Sequence, residues 1–255
     1  MEARLPTGTL DHALKWPVAA RMPGFSYAYQ PIVDTVARAV FSYEALVRGP
    51  SNEPAFQVFK RVSEEHKYQF DQESRVAAIE LAARLGLDCH LNLNFLPQGL
   101  LQSADAIRTT LEAAALNQLP LERIILEVTE GEIISDYALF AALLNEYRGM
   151  GVKVAIDDFG AGYSGLNMLA GFQPDQIKID MNLVRGIETD GPRQAIVRAV
   201  AQVCEDLGIV VIAEGVETLQ EYRWFAELGV TLFQGYLFAR PGFECFPPVH
   251  YPEEV

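Results

Sequence analysis

The chain has 255 residues, 50% of them hydrophobic and 21% charged, and carries a formal net charge of −14. That composition excludes a disordered chain, no apolar run is long enough to span a bilayer, and the length suits a single α/β barrel of about 250 residues. The negative charge argues against a nucleic-acid polymer as partner, because neutralising many phosphates needs a basic face; a small phosphorylated ligand remains open, provided a cation offsets the local carboxylates.

Residues 1–24 read as an N-terminal extension with a short helix around Leu10–Ala20, and residues 25–255 as one domain. The opening Met1-Glu2-Ala3-Arg4-Leu5-Pro6 has no basic stretch followed by an apolar one, so the cytoplasm is the expected location and no membrane partner is expected. Short β-branched or apolar runs predict strands over Ser26–Ile32, Ala39–Leu46, Cys89–Asn94, Ile124–Val128, Val152–Ile156, Gln176–Ile179, Val210–Ala213 and Leu232–Gln234. Between them, apolar residues recurring every three or four positions predict helices over Gln72–Leu85, Ala104–Ala115, Ser135–Arg148, Pro192–Leu207 and Leu219–Leu228. Several of these stop at a glycine: Gly86, Gly149, Gly208 or Gly229. Such alternation is the mark of a parallel sheet clothed in helices. The tail from Pro241 reads as peripheral. Cys89, Cys204 and Cys245 are odd in number and widely spaced, which fits reduced thiols and neither a disulfide framework nor a thiolate metal site.

Polar residues close one apolar run after another: Glu44, Asn92, Glu127, Asp157 with Asp158, Lys178 with Asp180, Glu214 and Gln234. In a closed parallel barrel the carboxyl ends of the strands converge on one mouth, where barrel enzymes place their chemistry. Any one acid at a strand end is ordinarily just solvated. Several around one cleft repel unless hard cations sit among them, and an all-oxygen ligand set suits Mg²⁺ or Mn²⁺. Successive side chains of a strand alternate faces, so Asp157 and Asp158 both reach the mouth only if the strand ends there, and Gly160 and Gly162 supply the turn. Such a pair suits two cations about 3.5 to 4 Å apart, as used for in-line phosphodiester hydrolysis. Lys178 is read as orienting water or neutralising phosphate, with an ordinary ion pair as the plain alternative, and Arg48 as a fork for a phosphate oxygen.

Two other patterns carry less. Gly160-Ala161-Gly162-Tyr163-Ser164-Gly165 spells a dinucleotide-binding fingerprint, but the aspartates just before it would repel a diphosphate. His12, His66, His90 and His250 form no doublet or His-x-His pair, so histidine-based metal chemistry is unsupported.

Taken in order, the strand ends resemble the EAL family, bacterial phosphodiesterases that open cyclic di-GMP to linear pGpG with Mg²⁺ or Mn²⁺. The likeness rests on Glu44-Ala45-Leu46-Val47-Arg48, preceded by Tyr29-Gln30-Pro31-Ile32-Val33-Asp34, and continues through Asn92-Leu93-Asn94 and Leu126-Glu127-Val128-Thr129-Glu130. Then come Asp157-Asp158-Phe159-Gly160-Ala161-Gly162-Tyr163-Ser164, Lys178-Ile179-Asp180, Ala213-Glu214-Gly215-Val216-Glu217-Thr218 and Gln234-Gly235-Tyr236. The resemblance implies a TIM-like (β/α)8 barrel whose first strand runs against the others. It assigns Glu44, Asn92, Glu127 and Asp157 to one metal and Asp158 to a second, with Asp157 shared. Glu44, Lys178 and Glu214 become catalytic, the last two flanking the attacking water. Gln30, Leu46, Arg48, Asp180 and Gln234 become substrate contacts, Gln234 also helping to hold that water and the metal shell. Glu130 and Glu217 are linked to a loop that couples activity to dimerisation. It further implies cyclic di-GMP as substrate, a homodimer, two divalent cations, and regulation through a protein partner, oligomerisation or the first 24 residues, since no sensory or cyclase domain is expected in the chain.

Two features depart from the common family pattern: Asn94 stands where many members have Ser, and the short segment through Phe70-Asp71-Gln72 resembles EAL modules joined to blue-light sensors. Two other readings stay in view. Some EAL relatives are catalytically weak or inactive receptors or interaction modules, but these typically lack several metal ligands. A metal-dependent barrel enzyme forming an enolate usually pairs its metal with a Lys or His base, and Gln30 and Arg48 suit a phosphate better.

Overall fold

The computed structural model describes residues 23–102, 106–129, 136–162 and 165–252. Nine strands are described: β1 (Ser26–Asp34), β2 (Ala39–Arg48), β3 (His90–Asn94), β4 (Ile124–Thr129), β5 (Lys153–Phe159), β6 (Gln176–Ile179), β7 (Val210–Ala213), β8 (Leu232–Phe233) and β9 (Gly242–Phe243). The helices are α1 (Ala55–Phe59), α2 (Lys67–Arg84), α3 (Pro97–Gln102), α4 (Arg108–Leu116), α5 (Tyr137–Gly149), α6 (Gly165–Gly171), α7 (Met181–Val184), α8 (Gly191–Leu207) and α9 (Leu219–Glu227). The expected helix at Leu10–Ala20 and the expected contribution of Glu130 lie outside the described residues.

Strands β2 to β8 pair in parallel in chain order, and β1 closes the ring by pairing antiparallel with both β2 and β8. The result is a TIM-like (β/α)8 barrel with one reversed strand. Closure leaves no free edge within the ring, and it also removes the open sheet that a dinucleotide fold would need around the Gly160–Gly165 turn. Buried aliphatic residues fill both sides of the wall: β4 is buried over Ile124–Val128 and β6 along its whole length. Ile32, Ile212 and Leu232 pack together. Each lies two residues below Gln30, Glu214 or Gln234 on its strand and so on the same face, which gives the polar mouth an apolar floor.

Local sequence explains the best-defined helix ends. Asp190 caps α8 by accepting from Arg193 N at 3.1 Å, Pro192 sits in the first turn, and Gly208 stops the helix at φ 69°, the left-handed conformation in which glycine meets no Cβ penalty. Thr218 and Glu221 form a reciprocal capping box at the start of α9. Helix α2 begins at Lys67, five residues before the expected start, because Phe70, Asp71 and Arg75 are all buried against the barrel.

The tail corrects one expectation. From Pro241 it is packed rather than peripheral: β9 pairs with β1, and the Phe246 ring stacks on Tyr43 at 4.3 Å and meets Tyr29 edge-on at 5.1 Å. The aromatic side chains on the outer wall of β1 and β2 supply the apolar surface that holds it.

Candidate metal centre and substrate cleft

Glu44, Asn92, Glu127 and Asp157 stand on consecutive parallel strands whose register sets Glu44 beside Asn92 and Asn94 beside Glu127. With Lys178 and Glu214 from β6 and the end of β7, they meet at the carboxyl-terminal mouth. β2 runs on to Arg48, so Glu44 sits inside the strand rather than at its close.

The paired aspartates reach the mouth by a route the alternation rule did not foresee. β5 does not stop at Asp157-Asp158; it continues to Phe159, and its pairing with β6 advances three residues from Ile156 to Phe159 against two from Ile177 to Ile179. The extra residue is a bulge, and Asp158 takes it up with φ 54°. A bulge re-aims side chains without ending the strand, and both carboxylates line the same cleft. Gly160 follows at φ 98°, a conformation strained for any residue with a side chain, and a Cβ there would also lie 2.3 Å from Leu183 Cδ1 of α7.

Lys178 is the hub. Its side chain is 1% exposed, and Nζ lies 3.2 Å from Glu44 Oε2, 2.8 Å from Glu127 Oε1, 2.9 Å from Asp157 Oδ1 and 2.5 Å from Glu214 Oε1. Burial opposes its charge, yet Asp157, Glu127, Glu214 and Glu44 outweigh that and hold the ammonium well above the usual lysine value. One ammonium among four carboxylates leaves a negative excess. Burial first, then neighbouring charge, drives Glu127 and Glu214 well above the carboxylate range, and burial with Asp157 and Asp180 lifts Asp158 to about 6.

The surroundings are already fixed. Glu44 accepts from Gln234 Nε2 at 2.8 Å and from Asn94 Nδ2 at 3.3 Å. Asn92 Nδ2 donates to Glu127 Oε1 at 2.8 Å. Three buried oxygens in the cluster nevertheless lack a hydrogen-bond partner: Asn92 Oδ1, Glu127 Oε2 and Asp157 Oδ1, the last facing Lys178 outside hydrogen-bonding geometry. Buried acceptors without partners are costly. Ligand oxygens of Glu44, Glu127 and Asp157 fall within 4.8 Å of one another, as do those of Asp157, Asp158 and Glu214. Two oxygen triads sharing Asp157, with orphaned acceptors in one of them, fit hard divalent cations.

The remaining expected site residues divide between two cavities. Gln30, Asp180, Gln234 and Glu217 line a cleft of about 280 Å³ together with the carboxylates. Gln30 pairs with Glu44 across β1 and β2 and donates to Ala239 O at 3.3 Å. Asp180 caps α7 by accepting from Asn182 N at 2.9 Å. Leu46 and Arg48 instead line a neighbouring cavity of about 400 Å³, lined mostly by apolar groups, that also contains Phe70 and Asn94. Burial lowers the Arg48 pKa against the pull of Tyr236 and Glu44, and its Nη1 donates to Val47 O at 2.8 Å.

Sequence reasoning did not single out Asn94 as a support for Glu44, nor Arg185, which reaches the cleft from the end of α7. The Asn94 signal was present, since it lies two residues after Asn92 on the same face. Glu217, which the family resemblance links to a loop coupled to dimerisation, pairs its carboxylate with Arg185.

Residues 14–241 match the family model described as EAL domain. The chain is 37% identical over 229 residues to the blue light- and temperature-regulated antirepressor BluF of Escherichia coli K12, covering 89% of this chain and 57% of that one. It is 33% identical to the probable cyclic di-GMP phosphodiesterase PdeN of the same organism, over 88% of this chain and 44% of the relative. The chain thus spans about half the length of these curated relatives. Among solved structures, a standalone versatile EAL protein from Vibrio cholerae O395 in its c-di-GMP-bound form superposes with a TM-score of 0.86 at 47% identity, covering 91% of this chain and 98% of that one. Klebsiella pneumoniae BlrP1 in a manganese/cy-diGMP complex gives 0.83 at 43% identity, over 90% and 59%. Among the described residues, no helix is long and apolar enough to cross a membrane.

Proposed function

The chain belongs to the EAL domain family, and from that premise we propose that it is a phosphodiesterase that hydrolyses cyclic di-GMP to linear pGpG. The observation that carries this reading is the pair of oxygen triads sharing Asp157 around a single buried ammonium. Two divalent cations, magnesium or manganese, would supply an activated water and charge neutralisation at the scissile phosphate. Glu44, Asn92, Glu127 and Asp157 would hold one, and Asp157, Asp158 and Glu214 the other. Glu214 thereby moves from flanking the water to ligating.

The chain's own groups do the rest. Lys178 fixes four carboxylates in place, so little reorganisation is needed when phosphate charge arrives. Gln234 and Asn94 lock the Glu44 carboxylate. Gln30 and Asp180 face the dinucleotide from the cleft. Arg48 would meet a phosphate oxygen from the larger cavity, which it lines with Leu46 and which would take the second nucleotide. The water oxygen bonds to phosphorus as the bond to the 3′ oxygen breaks. That oxygen takes up a proton, giving a 3′-hydroxyl and a 5′-phosphate. A cytoplasmic setting, a homodimer and a regulatory partner are supported here by the family resemblance.

Incubation of the purified protein with cyclic di-GMP and Mg²⁺ or Mn²⁺ should yield pGpG, and Glu44→Ala should abolish it while leaving the fold intact. Wild-type-like turnover by Glu44→Ala would overturn the assignment. The likeness to BluF, named an antirepressor, favours a second reading as an interaction module; tight dinucleotide binding with no product from the wild-type protein would select it.

A further inference from the structure

We propose that Arg185 reads the base of the bound nucleotide, selecting guanine over adenine, and that Tyr236, backed by Arg240, is the platform on which that base stacks. This rests on the cyclic di-GMP reading above and deepens it. Arg185 lines the same cleft as Asp157, Asp158 and Lys178, so a nucleotide whose phosphate lies at the carboxylates has its base within the reach of this arginine. Its guanidinium is aimed by two acids: Nη2 pairs with Glu217 Oε1, and Nη1 lies 3.7 Å from Glu221 Oε2. The main chain beneath it is fixed as well. Arg193 Nη1 donates to Arg185 O at 2.5 Å, and Gly186 N donates to Glu221 Oε1 at 3.1 Å.

A structural ion pair is a poor account of this arrangement. Glu221 already accepts from the backbone N–H groups of Gly186, Glu217 and Thr218, so it does not need the guanidinium. A half-exposed pair such as Arg185 with Glu217 adds little stability. What the two carboxylates do achieve is to hold a five-donor fork in one orientation while the side chain stays 29% exposed toward the cleft. A fixed fork of donors matches the two acceptors O6 and N7 of guanine; adenine offers N7 and an amino donor, which the fork opposes.

The walls beside it suit a flat ring. Tyr236 is 47% exposed and Met181 45%, and both line the cleft. The Arg240 guanidinium carbon sits 4.1 Å from the Tyr236 ring centroid, covering one face and stiffening a platform on which a base can stack.

The test is equilibrium binding of cyclic di-GMP and cyclic di-AMP to the full chain in Ca²⁺, measured by calorimetry. The wild-type protein should prefer cyclic di-GMP, and Arg185→Met should cut that preference by roughly ten-fold or more, through weaker cyclic di-GMP binding and little change for cyclic di-AMP. Arg185→Lys should fall between, because a point charge does not reproduce the fork. Thermal melts show whether each variant is folded, and the lysine variant carries the test if the methionine variant is not. An unchanged preference in a folded variant, equal losses for both dinucleotides, or no preference in the wild type overturns the proposal. A wild-type protein that binds selectively but never yields pGpG in Mg²⁺ instead sinks the phosphodiesterase reading and leaves base selection standing.

Discussion

Two buried charge clusters in this protein are built on opposite plans. Between α2 and α4, Arg75 donates to Thr110 Oγ1 at 3.0 Å and to Ala106 O at 2.9 Å, pairs with Asp71, and lies 5.0 Å from the Phe95 ring centroid. One cation meets one anion, and the guanidinium is satisfied by named partners. At the barrel mouth, Lys178 meets four carboxylates, and three oxygen acceptors are left without hydrogen-bond partners. A balanced cluster holds a helix on a wall. An unbalanced one is tolerable only if something else brings positive charge, and that imbalance marks where chemistry happens.

The sharpest way to break this contrast is to remove one charge from each cluster. Glu127→Gln should lower turnover more than about 100-fold, since even outer-shell changes at metal sites cost 10- to 100-fold. It should nevertheless leave the metal-free protein at least as stable as the wild type, because burial and Glu44 already disfavour that charge. Melting curves in chelator check this, and a drop of several degrees would place the mouth in the same class as the Arg75 cluster. Arg75→Met should do the reverse. It leaves Asp71 buried without its cation and should cost about 3–5 kcal/mol in urea unfolding, while adding Asp71→Leu should recover much of the loss.

The same contrast explains what the sequence disclosed. All eight ring strands were legible to within about three residues at either end, because an apolar run closed by a polar residue reports burial along a strand and exposure at its tip. Gln176–Ile179 and Val210–Ala213 match to the residue. The reversed direction of β1 came only through family resemblance. The Asp158 bulge was not legible, since it depends on pairing with β6 and not on local composition. Lys178 was legible as a cation at the acidic mouth, but not its contact with four carboxylates at once, one of them Glu44 134 positions away. Arg185 belongs to no motif; it becomes visible only when α7 and the loop before α9 meet.

Metal should act on one cluster and not on the other. Mn²⁺ at about 100 times its dissociation constant should raise stability by roughly 2.7 kcal/mol, and chelation should reverse the gain. Asp157→Asn, which alters the ligand shared by both triads, should lose most of it, whereas the Arg75→Met protein, though weaker, should keep the increment. An equal loss in both variants would mean that the cation stabilises the barrel as a whole.

Glu221 sharpens the comparison from a third side, because it is a buried acid held chiefly by backbone N–H donors, with Arg185 at 3.7 Å as a cation it shares with Glu217. Burial pushes its carboxyl upward, but N–H donors of Glu217, Gly186 and Thr218 overcome this and leave it below the ordinary value. A carboxyl that titrates lower when folded stabilises fully above its unfolded value of about 4.3, and the contribution disappears as pH falls through the folded value. Glu221→Gln keeps one acceptor oxygen and gives up the charge, so it should cost about 1 kcal/mol at neutral pH, the scale of a helix cap. Unfolding measured from pH 7 down to 3 should show the wild type and the variant separated by a constant gap above about pH 5 and converging in acid. A gap that persists at pH 3 would mean that shape rather than charge holds the α9 entrance.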